Sequence, residues 1–239
     1  MHGKELLVCG IKELALEITD KQIEQFMKYY EMLVETNKVM NLTSIVELDE
    51  VILKHFIDSL LVVKTIDMNK FHTMIDVGTG AGFPGIPLKI MFPHLKVTLL
   101  DSLNKRLNFL NNVIEELELT DICTIHGRAE DIGRELNHRE KFDVCVSRAV
   151  ANLSTLSEYC IPFISVGGNF VSYKSEFSDT ERKDAEKAIR ILGGQIEKNM
   201  IVNLPCTEIN RSFIIIEKKD KTSKKYPRKA GVPSKEPIK

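Results

Sequence analysis

Met74-Ile75-Asp76-Val77-Gly78-Thr79-Gly80-Ala81-Gly82-Phe83-Pro84-Gly85-Ile86-Pro87 reads as an apolar strand that ends on an acid, turns through glycines and re-enters as a helix. Glycines at 78, 80 and 82 allow a sharp turn and bring backbone amides against a ligand, because a residue without Cβ tolerates positive φ and close approach. Pro84 and Pro87 fit the first helical turn, where a missing amide hydrogen costs little. Outward from this stretch, the pattern predicts strands at 73–77, 96–100, 121–125 and 142–146. Helices are predicted at 84–91 and 104–117, near 129–136 and near 152–161. In 104–117, Leu107, Leu110, Val113, Ile114 and Leu117 form one apolar stripe, while Lys105, Arg106, Asn112 and Glu115 face water. Strand and helix in alternation give an α/β fold with a mostly parallel, Rossmann-like sheet covered on both faces. Its end differs. Phe170–Lys174 is followed by a Ser178/Glu181 capping box, a helix to Leu192, and two apolar runs, Gln195–Val202 and Ser212–Glu217, that make an antiparallel hairpin.

The surroundings of the glycines select the ligand. A dinucleotide fingerprint placed on Gly80-Ala81-Gly82-Phe83-Pro84-Gly85 starts two residues after the strand, and the frame from Gly78 puts Phe83 where the third glycine belongs. S-adenosylmethionine fits better. It calls for an acid closing the first strand, Asp76, and a second acid closing the next strand, where it accepts the ribose hydroxyls. Lys96-Val97-Thr98-Leu99-Leu100-Asp101, followed by Ser102, supplies that second acid at the spacing of a βαβ unit. Gly78 and Gly80 would carry the backbone approach. Arg128, Ala129 and Glu130 follow the third strand and point to the adenine end, although a glutamate opening a surface helix explains Glu130 equally well locally.

Composition narrows the class. The chain has 239 residues, 43% hydrophobic and 28% charged, enough for one sizeable core. Three parts follow: a helical extension at 1–70, the α/β domain at 71–217 and a tail at 218–239. In the extension, Glu13 to Ile18 and then Ile23, Phe26, Met27, Tyr30, Leu33 and Val34 recur at helical spacing, with Asp20 as cap. Ser44 and Glu47 predict a capping box for a third helix carrying His55 and Asp58. No apolar run approaches the roughly 18 residues of a membrane span. The five cysteines are scattered, never as Cys-x-x-Cys, so the spacing supports neither a disulfide framework nor a metal site, and a reducing cytoplasm is the expected location. The net charge of −1 hides an asymmetry. From Glu217 to Lys239 nine Lys or Arg face three Asp or Glu, a balance of +6. This tail, with Lys225, Arg228 and Lys229 around Tyr226-Pro227, is where a polyanion would be met, and a merely solvated terminus is the alternative.

The fourth strand ends in Ser147-Arg148-Ala149-Val150, beside the expected methyl position. It has no Asn or Asp followed by Pro-Pro and an aromatic, the usual pattern for methylation of exocyclic amines. Pro205-Cys206 lies in the late hairpin, far from that position, and reads as an inert thiol. An arginine here pairs with a carboxylate or phosphate and supplies neither acid nor base, which suits a target that is already nucleophilic. A surface ion pair explains Arg148 equally well. His55, alone among apolar neighbours, reads first as a satisfied core histidine, with Asp58 one turn on as its partner.

Asn41-Leu42-Thr43, His55-Phe56-Ile57-Asp58-Ser59-Leu60, Asp76 to Gly85, Arg128-Ala129-Glu130, Ser147-Arg148-Ala149, Tyr173-Lys174 and the Lys-Tyr-Pro-Arg-Lys-x-Gly-x-Pro tail together resemble the bacterial small-subunit ribosomal RNA guanine-N7 methyltransferases, the glucose-inhibited division protein B family. The likeness runs from about residue 20 to the end. It implies methylation of N7 of one guanosine in a decoding-region loop of 16S ribosomal RNA, naked or within the small subunit, by a cytoplasmic monomer with no metal and no membrane partner. By position it implies cofactor contacts from Gly78, Phe83, Ala129, Glu130 and Arg148, and an RNA side formed by Asn41, His55, Arg128, Lys174 and Arg211. Guanine N7 has no proton to lose, so no catalytic base is expected and alignment carries the reaction. A small-molecule methyltransferase would share the cofactor residues but has no use for the tail. A non-catalytic RNA-binding module would keep the tail but has no use for Asp76, Asp101 and the glycines together.

Overall fold

The computed structural model describes residues 3–148, 151–175 and 178–239; Ala149 and Val150 of the fourth-strand motif lie outside them. Among the described residues one sheet contains β1 (Thr73–Val77), β2 (Lys96–Asp101), β3 (Ile122–His126), β4 (Phe142–Arg148), β5 (Ile164–Lys174), β6 (Gly194–Asn203) and β7 (Asn210–Lys218), in the order β3-β2-β1-β4-β5-β7-β6. β1 to β5 run parallel, β7 is antiparallel to β5, and β6 closes the edge antiparallel to β7. The strand order reverses between β1 and β4, which opens a crevice at their carboxyl ends.

The helices are α1 (Gly3–Glu13), α2 (Asp20–Met40), α3 (Leu48–Val51), α4 (Asp58–Leu60), α5 (Gly85–Met91), α6 (Asn104–Glu116), α7 (Ala129–Ile132), α8 (Leu153–Cys160), α9 (Asp179–Ile191) and α10 (Val232–Lys235). Three sequence expectations are corrected by these bounds and caps. The first helix is Gly3–Glu13, so of the expected run Glu13 to Ile18 only Glu13 is helical, and Leu14 to Ile18 form the connection after it. Thr19, not Asp20, caps α2, in a reciprocal box with Gln22. Glu47 precedes α3 without any side-chain cap, so the Ser44/Glu47 box does not form. Ser178 does cap α9, accepting from the Glu181 amide. The Glu181 carboxylate turns away to the Leu153 amide and Lys174.

Strand periodicity divides the core between the two faces of the sheet. Met74, Val144, Val146, Val171 and Phe213 pack with Phe26, Tyr29 and Phe56 of the N-terminal helices and with α5 and α6. Ile75, Val77, Cys145, Phe170 and Ile214 pack with α8 and α9. The helices of 1–70 therefore share a core with the sheet. Ile52–Ile57, between α3 and α4, is π-helical, a local widening that is frequent at functional sites; His55 stands on it.

Candidate active site

Asp76 fastens the glycine turn. Its Oδ2 accepts from Thr79 Oγ1 at 2.7 Å and from the Gly85 amide at 2.8 Å, and the side chain is fully buried. Burial raises its pKa to about 6 against the opposing pull of those two bonds and of Arg148. Gly82 has φ of +100° and packs so tightly that a Cβ would lie 2.6 Å from the Tyr29 hydroxyl. That hydroxyl donates to the Ala81 carbonyl, joining α2 to the turn. Asp101 completes the brace by accepting from the Gly80 amide at 2.9 Å.

Behind this brace a cavity of about 510 Å³ opens at the carboxyl ends of β1, β2 and β4, within the range of small-molecule sites. Gly78, Asp101, Ser102, Arg128, Ala129, Glu130 and Arg148 all lie on its wall. The Asp101 carboxylate is oriented by the Leu103 amide at 2.9 Å and by Arg106 at 3.4 Å. Glu130 is buried, and its Oε1 accepts from the Gly231 amide of the tail at 2.8 Å. Two acids, Asp101 and Glu130, and three arginines, Arg106, Arg128 and Arg148, around an amide-rich turn suit a nucleoside sulfonium with a free amino acid end. Three residues expected on this wall stand behind it. Asp76 and Gly80 shape the turn. Phe83 stacks on His55 at 4.6 Å, and the Arg148 guanidinium lies 5.3 Å from its ring centre.

Arg148 also lines a second cavity, of about 630 Å³, with His55, Asp58, Tyr173, Lys174 and Arg211. Asp58, not expected at the site, organises it: Oδ2 accepts from Arg148 Nη1 at 2.7 Å and Oδ1 from Arg211 Nε at 2.5 Å. Asp58 therefore does not serve His55. Instead Nε2 of His55 lies 2.8 Å from Thr43 Oγ1, and Nδ1 lies 3.1 Å from the Lys54 carbonyl, so Nδ1 donates and Nε2 accepts. Burial, followed by Arg148, lowers the His55 pKa to about 4, and the ring is neutral at pH 7. Lys174 donates to Glu181 Oε1 at 2.6 Å and to the Ala151 carbonyl at 3.0 Å. Asn41 is exposed at the left-handed C-cap of α2; it is absent from the wall, and Thr43 reaches the site in its place. Arg128 belongs to the first cavity and not the second.

The tail departs most from expectation. Arg228 makes a bidentate pair with Glu158, Nε to Oε1 at 3.0 Å and Nη2 to Oε2 at 2.7 Å, and its amide also donates to Oε1 at 2.6 Å. Arg139 donates to the carbonyls of Thr222, Ser223 and Tyr226. Thr155 donates to the Pro233 carbonyl. Arg228 is thus a structural cation, whereas Lys225 and Lys229 are exposed. Sequence reading missed Tyr159 and Ser234, which meet at the first cavity only because the tail folds back. Asp58 did carry a signal, an acid on the apolar face of a helix.

The model of the family described as rRNA small subunit methyltransferase G matches residues 22–211. The ribosomal RNA small subunit methyltransferase G of Alkaliphilus metalliredigens is 50% identical over 239 residues, covering 100% of both chains. That of Desulforamulus reducens is 52% identical over 227 residues, covering 95% of each. The chain belongs to this family. As a member of the methyltransferase G family it is an S-adenosylmethionine-dependent methyltransferase, and its solved neighbours share the fold. A ribosomal-protein methylase from Lactobacillus delbrueckii subsp. bulgaricus superposes with a TM-score of 0.51 at 16% identity, covering 70% of this chain and 79% of that one. A mutant of MtNAS in complex with S-adenosylmethionine superposes at 0.52 and 16% identity, covering 81% and 76%.

Proposed function

We propose that the chain methylates N7 of a guanosine in 16S ribosomal RNA, with the cofactor in the first cavity and the base in the second. The observation that carries this reading is the shared wall: Arg148 lines both cavities, so a group bound in one lies beside a group bound in the other. Bound S-adenosylmethionine would supply an electrophilic methyl on a sulfonium. Asp101, with Ser102, is placed to accept from the ribose, Glu130 and Ala129 to edge the adenine, and Gly78 to bring backbone against the amino acid end near Arg148.

Guanine N7 attacks through an in-plane lone pair and sheds no proton, so the residues around the second cavity position rather than titrate. Neutral His55, fixed by Thr43 and stacked on Phe83, offers a flat face without adding positive charge beside a purine that becomes cationic. Asp58 holds the charges of Arg148 and Arg211 on its own carboxylate, and Glu181 does the same for Lys174. All three cations line the second cavity, where a donor not already spent would meet phosphate. Alignment of this kind lowers a barrier by roughly 7–11 kcal/mol. One chain forms both cavities, which supports action as a monomer. No described helix is long and apolar enough to cross a membrane, and the cytoplasm, where ribosomal RNA is found, is the proposed location.

The test is transfer of labelled methyl to ribosomal RNA from cells lacking the protein, followed by mapping of the product. N7-methylguanosine at one position of 16S RNA is the expected result. Transfer to a small molecule alone, or none, rejects the reading.

A further inference from the structure

Away from both cavities, α1 meets the turn between β6 and β7. Cys9 and Glu13 are one helical turn apart and so share a face of α1. Across from them stands Cys206, 197 residues from Cys9 in sequence, a separation at which no spacing motif is visible. The Cys206 and Cys9 sulfurs are 3.8 Å apart, and Cys206 Sγ is 3.4 Å from Glu13 Oε1. All three donor atoms lie within 4.8 Å of one another.

We propose that Cys9, Glu13 and Cys206 bind a zinc ion that ties α1 to the β6–β7 turn, with the fourth position open to water. Geometry is the warrant. Two thiolates each about 2.3 Å from a tetrahedral zinc stand about 3.8 Å apart, and a thiolate and a carboxylate oxygen at about 2.0 Å stand about 3.5 Å apart. Both separations match those observed. The donor set fits as well, since a thiolate pair with one carboxylate favours zinc over the hard cations.

Both supports are firm. Glu13 ends α1, where its carbonyl also receives Lys64 Nζ at 2.8 Å. The turn is closed by the Leu204 amide on the Ile209 carbonyl at 2.7 Å, by Thr207 Oγ1 on the Leu204 carbonyl at 2.8 Å, and by Asn203 on the carbonyls of Thr207 and Ile209. Preformed donors lose little freedom on binding. Each zinc bound displaces the two thiol protons into solvent, and no redox change is involved.

The experiment is a zinc titration of metal-free, full-length protein in a phosphine reductant, against a chromophoric chelator. The expected result is one zinc per chain, weakened at least about 100-fold in C9S and in C206S and about 10-fold in E13Q, the range in which loss of ligands and their partners falls. Cobalt in place of zinc should give tetrahedral visible bands and a thiolate charge-transfer band that C206S abolishes. Wild-type affinity equal to that of the C9S/C206S double variant overturns the proposal. So does a Cys9–Cys206 disulfide that forms under mild oxidation in protein that binds no zinc, which would assign the pair to thiol redox chemistry. Should the serine variants melt early, alkylation of the wild type decides. Zinc must slow modification of Cys9 and Cys206 while leaving exposed Cys123 unaffected, and equal rates at all three reject the site.

Discussion

Asp58 is the residue on which the site turns, because a carboxylate with 5% side-chain exposure carries two guanidiniums. Removing Arg148 leaves Arg211 to neutralise it, so R148A should cost about 1–2 kcal/mol of stability while turnover falls by about 10²-fold through lost alignment. Removing both partners leaves an uncompensated buried charge. R148A/R211A should therefore lose on the order of 3–5 kcal/mol, more than the two single changes together, and urea unfolding of the four proteins measures the excess. Additive losses would mean that the two arginines do not share one anchor. His55 next door gives a pH-dependent prediction. Its folded pKa of about 4 lies below the unfolded value near 6.5, so the unfolded chain binds the extra proton between them. The stabilisation is complete above pH 6.5 and is lost as pH falls toward 4. Relative to H55N, wild-type stability should shrink by about 3 kcal/mol from pH 7 to pH 4. A constant difference across that range would mean that the ring is not held neutral. Asp76 works in the other sense: its raised value makes its ionisation unfavourable to the fold as pH rises through about 6, and the comparison with H55N cancels that contribution.

At the scale of elements, the β1–α5 turn shows why some of the site was readable and some was not. Three glycines and two acids within one βαβ unit are local chemistry, so Gly78 and Asp101 were visible on the cavity wall from spacing alone. Asp76 was visible too, but its task was not: nothing in the sequence says that Thr79 and Gly85 would claim its carboxylate. Strand periods and the closing hairpin were legible because burial on two faces imposes them. The N-terminal caps were less so, since Thr19 and Asp20 are both good caps and only packing chooses between them. Long-range partners such as Glu158 with Arg228 have no sequence signature at all. The same turn supplies a test of how α2 supports the site. Gly82→Ala places a Cβ 2.6 Å from the Tyr29 hydroxyl at a φ of +100°, so it should cost about 1–3 kcal/mol as overpacking and weaken cofactor binding. Y29F removes the bond to Ala81 without crowding and should weaken it less. Calorimetry with S-adenosylmethionine ranks the two, and a normal affinity in Gly82→Ala would show that the turn is not held in shape by α2.

Across the whole molecule, α1 and the tail close on the parts between them, and the tail in particular is built into the wall of the first cavity. Ser234 lies on that cavity's wall, Gly231 bonds Glu130, and Lys218 is fully buried against the Ile161 carbonyl and Thr222. Cutting the chain at 218 would therefore remove packing, part of that cavity's wall and charge together. Single changes separate them. R228A strands Glu158, which is 1% exposed, and should cost on the order of 3–5 kcal/mol. It should also weaken S-adenosylmethionine binding, because the segment bearing Gly231 and Ser234 loses its anchor. Lys224, Lys225 and Lys229 are exposed and form no ion pair among the described residues; Lys221, Lys235 and Lys239 share that state, and the three that flank Tyr226-Pro227 are the ones to test against phosphate. The triple change to Gln should leave melting temperature and cofactor affinity unchanged. It should flatten the dependence of RNA binding on salt, by about 0.7–0.9 in the slope of log K against log salt for each phosphate that is no longer neutralised. An unchanged slope would mean that these three charges have no part in holding RNA, and that the folded role of this segment beside Glu130 is the reason for its sequence.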